Sequence, residues 1–271
     1  MKKFALLLAS AAAALAGPLA AQDFAITNAT VATGDGSDPV ENATVVVRGG
    51  RVVAAGTGVA VPAGVETIDG AGSWVTPGLV ATVTSLGLWD VGAVSESNDT
   101  NAGNSPFSAA LDAAPAINPN SQHILVHRAA GVTRAASVTM PASSIFGGQG
   151  SIIDLGADMS PVTKGRAFEY VEMGEAGAAE AGGSRAAMIL TFKMMLRQAQ
   201  DYAKAPAAYD GNSRDSLLNR VDAEALVPVV TGAMPLMVHA ESARDILAVL
   251  ALRQDFPALR LILAGATEGW M

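Results

Sequence analysis

From Phe24 to Asp69 apolar and polar positions alternate in short β-branched runs, FAITNATV, ATVVVRGGRVVAAG and VETID, broken by Gly49-Gly50, Gly56 and Gly70. Period-two patterning between glycine turns predicts a small antiparallel sheet of hairpins, and RGGR between two valine-rich runs marks the sharpest of them. After Pro77 the rhythm lengthens. SQHILVHRAAGV carries helical spacing and ends at Gly131, TRAASVTMP follows as a strand, and the glycine-rich IFGGQGSIIDLG reads as a loop running into a strand. SRAAMILTFKMMLRQAQDYAKA predicts a long amphipathic helix with Met188, Phe192, Met195 and Ala199 on its core face. MPLMVHA is a buried strand, ESARDILAVLALRQDF a helix behind it, and LRLILAG a further strand. Strands alternating with helices predict parallel βα units, and hence an α/β domain following the small sheet domain.

Composition narrows the picture. Half of the 271 residues are hydrophobic and the net charge is −8, so there is no cationic surface of the kind that neutralises phosphates, and nucleic acid is set aside as a partner. The chain begins with Lys2 and Lys3, an apolar run from Phe4 to Ala16, then Gly17 and Pro18. This is the layout of a secretory signal peptide over residues 1–21, cleaved after Ala21. The run is short for a bilayer span, so a periplasmic domain with no remaining membrane attachment is expected. The chain has no cysteine, which removes a lipidated anchor, disulfides, thiolate ligands and thiol nucleophiles together.

Several segments in order, Pro77-Gly78-Leu79, GVTRAASV, GGQGSIIDLG, the MGE at 173–175, MPLMVHAES and LILAGATEGW, resemble the metal-dependent amidohydrolase superfamily, in particular its exported, imidazolonepropionase-like members. The resemblance implies a (β/α)8 TIM barrel preceded by a small β-sandwich. Residues 22–76 would form the amino-terminal part of the sandwich. Residues 77–271 would form an incomplete barrel, truncated after about strand 6. The chain stops a few residues past a buried strand with no helix to cover it, so the expectation is either a fragment or an edge completed by another chain.

In that family divalent metal, zinc or a close neighbour, sits at the carboxyl ends of the strands and activates water for attack on a C–N bond. Carried over by position, the family's strand-1 His-x-His falls on Val83 and Ser85, neither of which replaces an imidazole. The strand-5 His is present as His239. The strand-6 His falls on Gly265, and the strand-8 Asp lies beyond residue 271. Glu172 or Glu175 is a candidate for the strand-4 carboxylate, with Glu175 the one taken as a ligand, and Glu241 can pair with His239. A catalytic zinc needs three protein ligands, so the resemblance implies a C–N hydrolase by ancestry, degenerate at its metal site. The competing reading is a non-catalytic barrel that binds a small molecule or joins, as a homo- or hetero-oligomer, an active relative.

Other candidates have plainer readings. His123 and His127 are four apart on a helix, a spacing that can hold one metal, but are expected to be surface or packing residues. The GGQG at 147–150 lacks the Lys-Ser/Thr of a phosphate loop. Ser85, Ser143 and Ser144 lack the signature of an activated nucleophile.

Overall fold

The computed structural model describes residues 23–271. The signal-peptide expectation for residues 1–21 lies outside them. The chain divides into two compact units, one running through Pro77 and one from Gly78 to Met271.

The first unit is one five-stranded sheet: β1 (Phe24–Val31), β2 (Val40–Arg48), β3 (Arg51–Gly56), β4 (Glu66–Asp69) and β5 (Trp74–Val75), in the order β3-β2-β1-β4 with β5 also on β1. The RGGR hairpin is where the sequence places it. Gly49 and Gly50 have φ of 54° and 72°, the left-handed pair that a two-residue turn between twisted strands requires. The all-hairpin expectation fails at β4 and β5, which run parallel to β1. After β3 the chain crosses to the far side of β1, and only the β1–β2–β3 meander is antiparallel. Ala29, Val31, Ala43 and Val45 form this unit's buried core.

The second unit is a mixed α/β domain. Its strands are β6 (Leu79–Thr84), β7 (Val132–Ser137), β8 (Phe146–Asp154), β9 (Val162–Glu172), β10 (Leu236–Ala240) and β11 (Leu261–Gly265). The helices used below are α1 (Gln122–Ala129), α2 (Gly174–Glu180), α3 (Arg185–Lys204), α4 (Arg220–Ala225), α5 (Val227–Val230) and α6 (Ala243–Asp255). The sheet order follows the chain, β11-β10-β9-β8-β7-β6. Pairs β6–β7, β9–β10 and β10–β11 are parallel, while β8 is antiparallel to both neighbours. Uniform parallel βα units are therefore not what forms. The connections 138–145 and 155–161 are too short for the helical crossover that parallel neighbours need. A complete (β/α)8 barrel is not present in these six strands, although the sheet curls in a barrel-like way: Val83 of β6 and Ala264 of β11 both pack against one cluster with Phe168, Tyr170 and Met237.

The other face of the sheet is covered by helices. Met188, Phe192, Met195, Leu196 and Ala199 of α3 are buried against Val171, Leu236 and Val238, so the apolar spacing of this helix was legible. Ser184 caps α3 by accepting from the Ala187 N–H at 3.1 Å, and Ser242 caps α6 by accepting from Asp245. The GGQG segment is strand, not loop. A side chain at Gly150 would occupy the Phe168 ring, and one at Gly147 would strike the Thr139 carbonyl, so glycine here permits close packing rather than a turn. Among the described residues no helix is long and apolar enough to cross a membrane.

Candidate functional site

Parallel pairing sets the site. β10 lies between β9 and β11 with His239 beside Glu172 on one side and Ala264 on the other, and Ala240 beside Gly265. The ends of three parallel strands thus bring a histidine and a carboxylate together at one end of the sheet. His239 Nδ1 is 2.7 Å from Glu172 Oε1, and its Nε2 is 2.9 Å from Glu241 Oε1. Each carboxylate is itself held. The Tyr170 hydroxyl donates to Glu172 Oε2 at 2.9 Å. The backbone N–H of Thr267 donates to Glu241 Oε2 at 3.1 Å, joined by the Thr267 hydroxyl.

An ionised carboxylate only accepts hydrogen bonds, so with Glu172 and Glu241 both ionised the two ring nitrogens both donate, the arrangement of a protonated imidazolium. Burial of the ring works against its charge, but the hydrogen bonds and negative charges of Glu172 and then Glu241 outweigh it and raise the His239 pKa above its usual 6.5. Hydrogen bonds from Thr267, and after them His239, lower the Glu241 pKa. Burial, reinforced by the Glu172 charge, pushes the Tyr170 hydroxyl far up, so it stays a donor.

The clamp borders a cavity of about 250 Å³, also lined by Glu175, Arg185 and Asp245. Glu175 does not reach His239; its side chain is 87% exposed and pairs with Arg185 Nη2 at 3.2 Å. Arg185 Nε in turn donates to the buried Asp245 at 2.9 Å. Val83 packs in the apolar cluster with Tyr170 and Met237. Ser85 faces a different cavity, of about 300 Å³, beside Trp89, His123 and His127. His127 Nδ1 lies 2.7 Å from the His123 carbonyl and the His123 ring packs on Trp89 with centroids 4.3 Å apart, so this histidine pair serves local packing.

Gly265 is close to the clamp but closed to substitution. Its φ is 74°, and a Cβ there would strike Glu241 Oε1 and lie 2.8 Å from His239 Nε2.

These residues do not fit the metal that the resemblance implies. Glu172 and Glu241 bind opposite nitrogens of one ring, so the three side chains do not converge on a point. On either side the ring offers a common ion one nitrogen and one carboxylate, and Val83, Ser85 and Gly265 add no third donor. Among the described residues no group of three or more His, Asp or Glu side chains is arranged to hold a metal. Glu172 and Glu241 were visible in the sequence as candidates. Tyr170 could have been found from its place two residues before Glu172 on the same strand face, whereas Thr267 carries no local signal.

No known family profile matches the sequence, and no curated protein matches it. Among solved structures, an amidohydrolase from Thermotoga maritima MSB8 superposes with a TM-score of 0.75 at 23% identity, over 91% of this chain and 65% of that one. Phenylurea hydrolase B matches at 18% identity and a TM-score of 0.43, over 86% of this chain and 58% of that one. The chain thus spans about two thirds of the length of the Thermotoga protein, and over that span it shares its fold.

Proposed function

We propose that this protein is an amidohydrolase-type scaffold, of C–N hydrolase ancestry, whose metal set has been reduced and whose His239 pocket binds a small polar ligand. The observation that supports this reading most is the engagement of both His239 ring nitrogens by carboxylates. An imidazolium has no lone pair to offer a metal, and the internal ion pairs supply the positive charge that these carboxylates would otherwise take from one. Glu172 and Tyr170 orient the ring, Glu241 and Thr267 close its other side, and Arg185 is left at the cavity wall as a donor for a ligand oxygen. Nitrogen NMR of the His239 ring tests the assignment: both nitrogens protonated at neutral pH, and unmoved by stoichiometric zinc, is the expected result. A single-proton tautomer whose Nε2 signal shifts on adding zinc would refute it.

A second reading, a subunit of a larger assembly with an active relative, draws on the exposed apolar side chains of β6, where Leu79 and Val80 are each 62% exposed. Co-expression with an active relative of the same fold would yield a complex heavier than either chain; two independent monomers would rule the second reading out.

A further inference from the structure

β8 and β9 set Gln149 and Glu169 directly opposite one another. Opposed residues of an antiparallel pair share a face, with Cβ atoms about 5 Å apart. Val171, two residues beyond Glu169 and on its face, belongs to the helix-covered core, which places the pair between sheet and helices. Glu169 is fully buried and Gln149 is 5% exposed. Neither carboxylate oxygen of Glu169 has a hydrogen-bond partner, nor does Gln149 Oε1, nor the nearby Ser151 hydroxyl. As an ionised group Glu169 would be an unpaired charge in the core, and Gln149 Oε1 would stay without a donor, an arrangement costly on both counts.

Among the described residues no cation pairs with it. On α4, Asp222 is a second carboxylate, held by the Ser108 and Ala110 N–H groups and Asn219. Arg220 and Glu224 of the same helix engage Tyr202. On β9, Arg166 pairs with Asp112 at 2.9 Å, and Lys164 lies at the strand's exposed start. On β8 the one charged residue, Asp154, pairs with Arg134. On β10 the one titratable residue, His239, is held in its clamp at the far end.

We propose that native Glu169 is a neutral carboxylic acid whose proton is donated to Gln149 Oε1, making a pH-sensitive latch between β8 and β9. One proton converts two facing acceptors into a donor and an acceptor. Burial first, and the Asp222 charge second, hold the Glu169 pKa well above the ordinary 4.5. Because the folded value is raised, the latch contributes fully below the unfolded value and is lost as pH rises through the folded one. Gln149 also lines a cavity of about 410 Å³ with Arg166, Glu224 and Met234, so ionisation of Glu169 releases one wall of that cavity.

Glu169→Gln preserves the shape and lets its amide donate to Gln149. Unfolding of both proteins from about pH 5 to about pH 9 should show the wild-type unfolding constant rising relative to the variant's, by up to about tenfold per pH unit between 4.5 and the folded value. Parallel pH profiles would overturn the proposal. Infrared spectra at about pH 7 should show a protonated-carboxyl carbonyl band that Glu169→Gln removes. Should that variant not fold, the wild-type band and its move to higher frequency in Gln149→Leu read the same proton. Absence of the band in the wild type, or stabilisation of the wild type by added sodium or calcium in its place, would show an ionised carboxylate and overturn the assignment.

Discussion

His239→Gln removes the imidazolium from between two carboxylates while leaving Tyr170 on Glu172 and Thr267 on Glu241. Loss of charge-assisted hydrogen bonds at a partly exposed site should cost about 1–2 kcal/mol of stability. The pH dependence has a defined sign. The His239 pKa is raised by its partners, so its contribution is fully present below 6.5 and is lost as pH rises through the folded value. The Glu241 pKa is lowered, so its contribution is present above 4.5 and is lost as pH falls through its folded value. The clamp is therefore strongest from 4.5 up to 6.5. Thermal unfolding of both proteins within this range and above it should show a gap that narrows as pH rises beyond 6.5, and a gap that widened there would contradict the charge assignment. Gly265→Ala is the companion test. A side chain at φ 74° beside Glu241 and His239 should destabilise by about 1–3 kcal/mol, and Gly265→His should fare no better. Equal stability of Gly265→Ala and the wild type in denaturant titrations would show that the clamp tolerates the intrusion.

At the scale of elements, β8 separates what was legible from what was not. The apolar spacing of α3 and the glycine pair of the β2–β3 turn are local signals, and both elements form where the sequence places them. The GGQG segment reads locally as a breaker, yet its glycines answer to distant partners: Phe168 across the ladder from Gly150, and Leu111 against Gly148. No window of sequence contains those contacts. The antiparallel course of β8 escaped for a related reason, because alternation of strand and helix predicts parallel pairing only where a helix fits each connection. Gly150→Ala would drive a methyl group into the Phe168 ring and should cost about 1–3 kcal/mol as overpacking; a chemical-denaturation midpoint equal to that of the wild type would refute the packing role. In the candidate site, the sequence singled out His239, Glu172 and Glu241, which the structure brings together. It could not show that Glu172 and Glu241 take opposite nitrogens of one ring, since that geometry depends on the β9–β10 register.

On the scale of the whole molecule, the barrel-like sheet of six strands carries at its strand ends a hydrogen-bonded chain that runs from Tyr170 through Glu172, His239 and Glu241 to Thr267. The most direct test is the metal content of the purified protein after dialysis against metal-free buffer, read by elemental mass spectrometry. Far less than one zinc, manganese or iron per chain is the predicted result, unchanged in His239→Gln. About one tightly held metal per chain in the wild type, lost in His239→Gln, would contradict the account and make the His239 cluster a working metal centre.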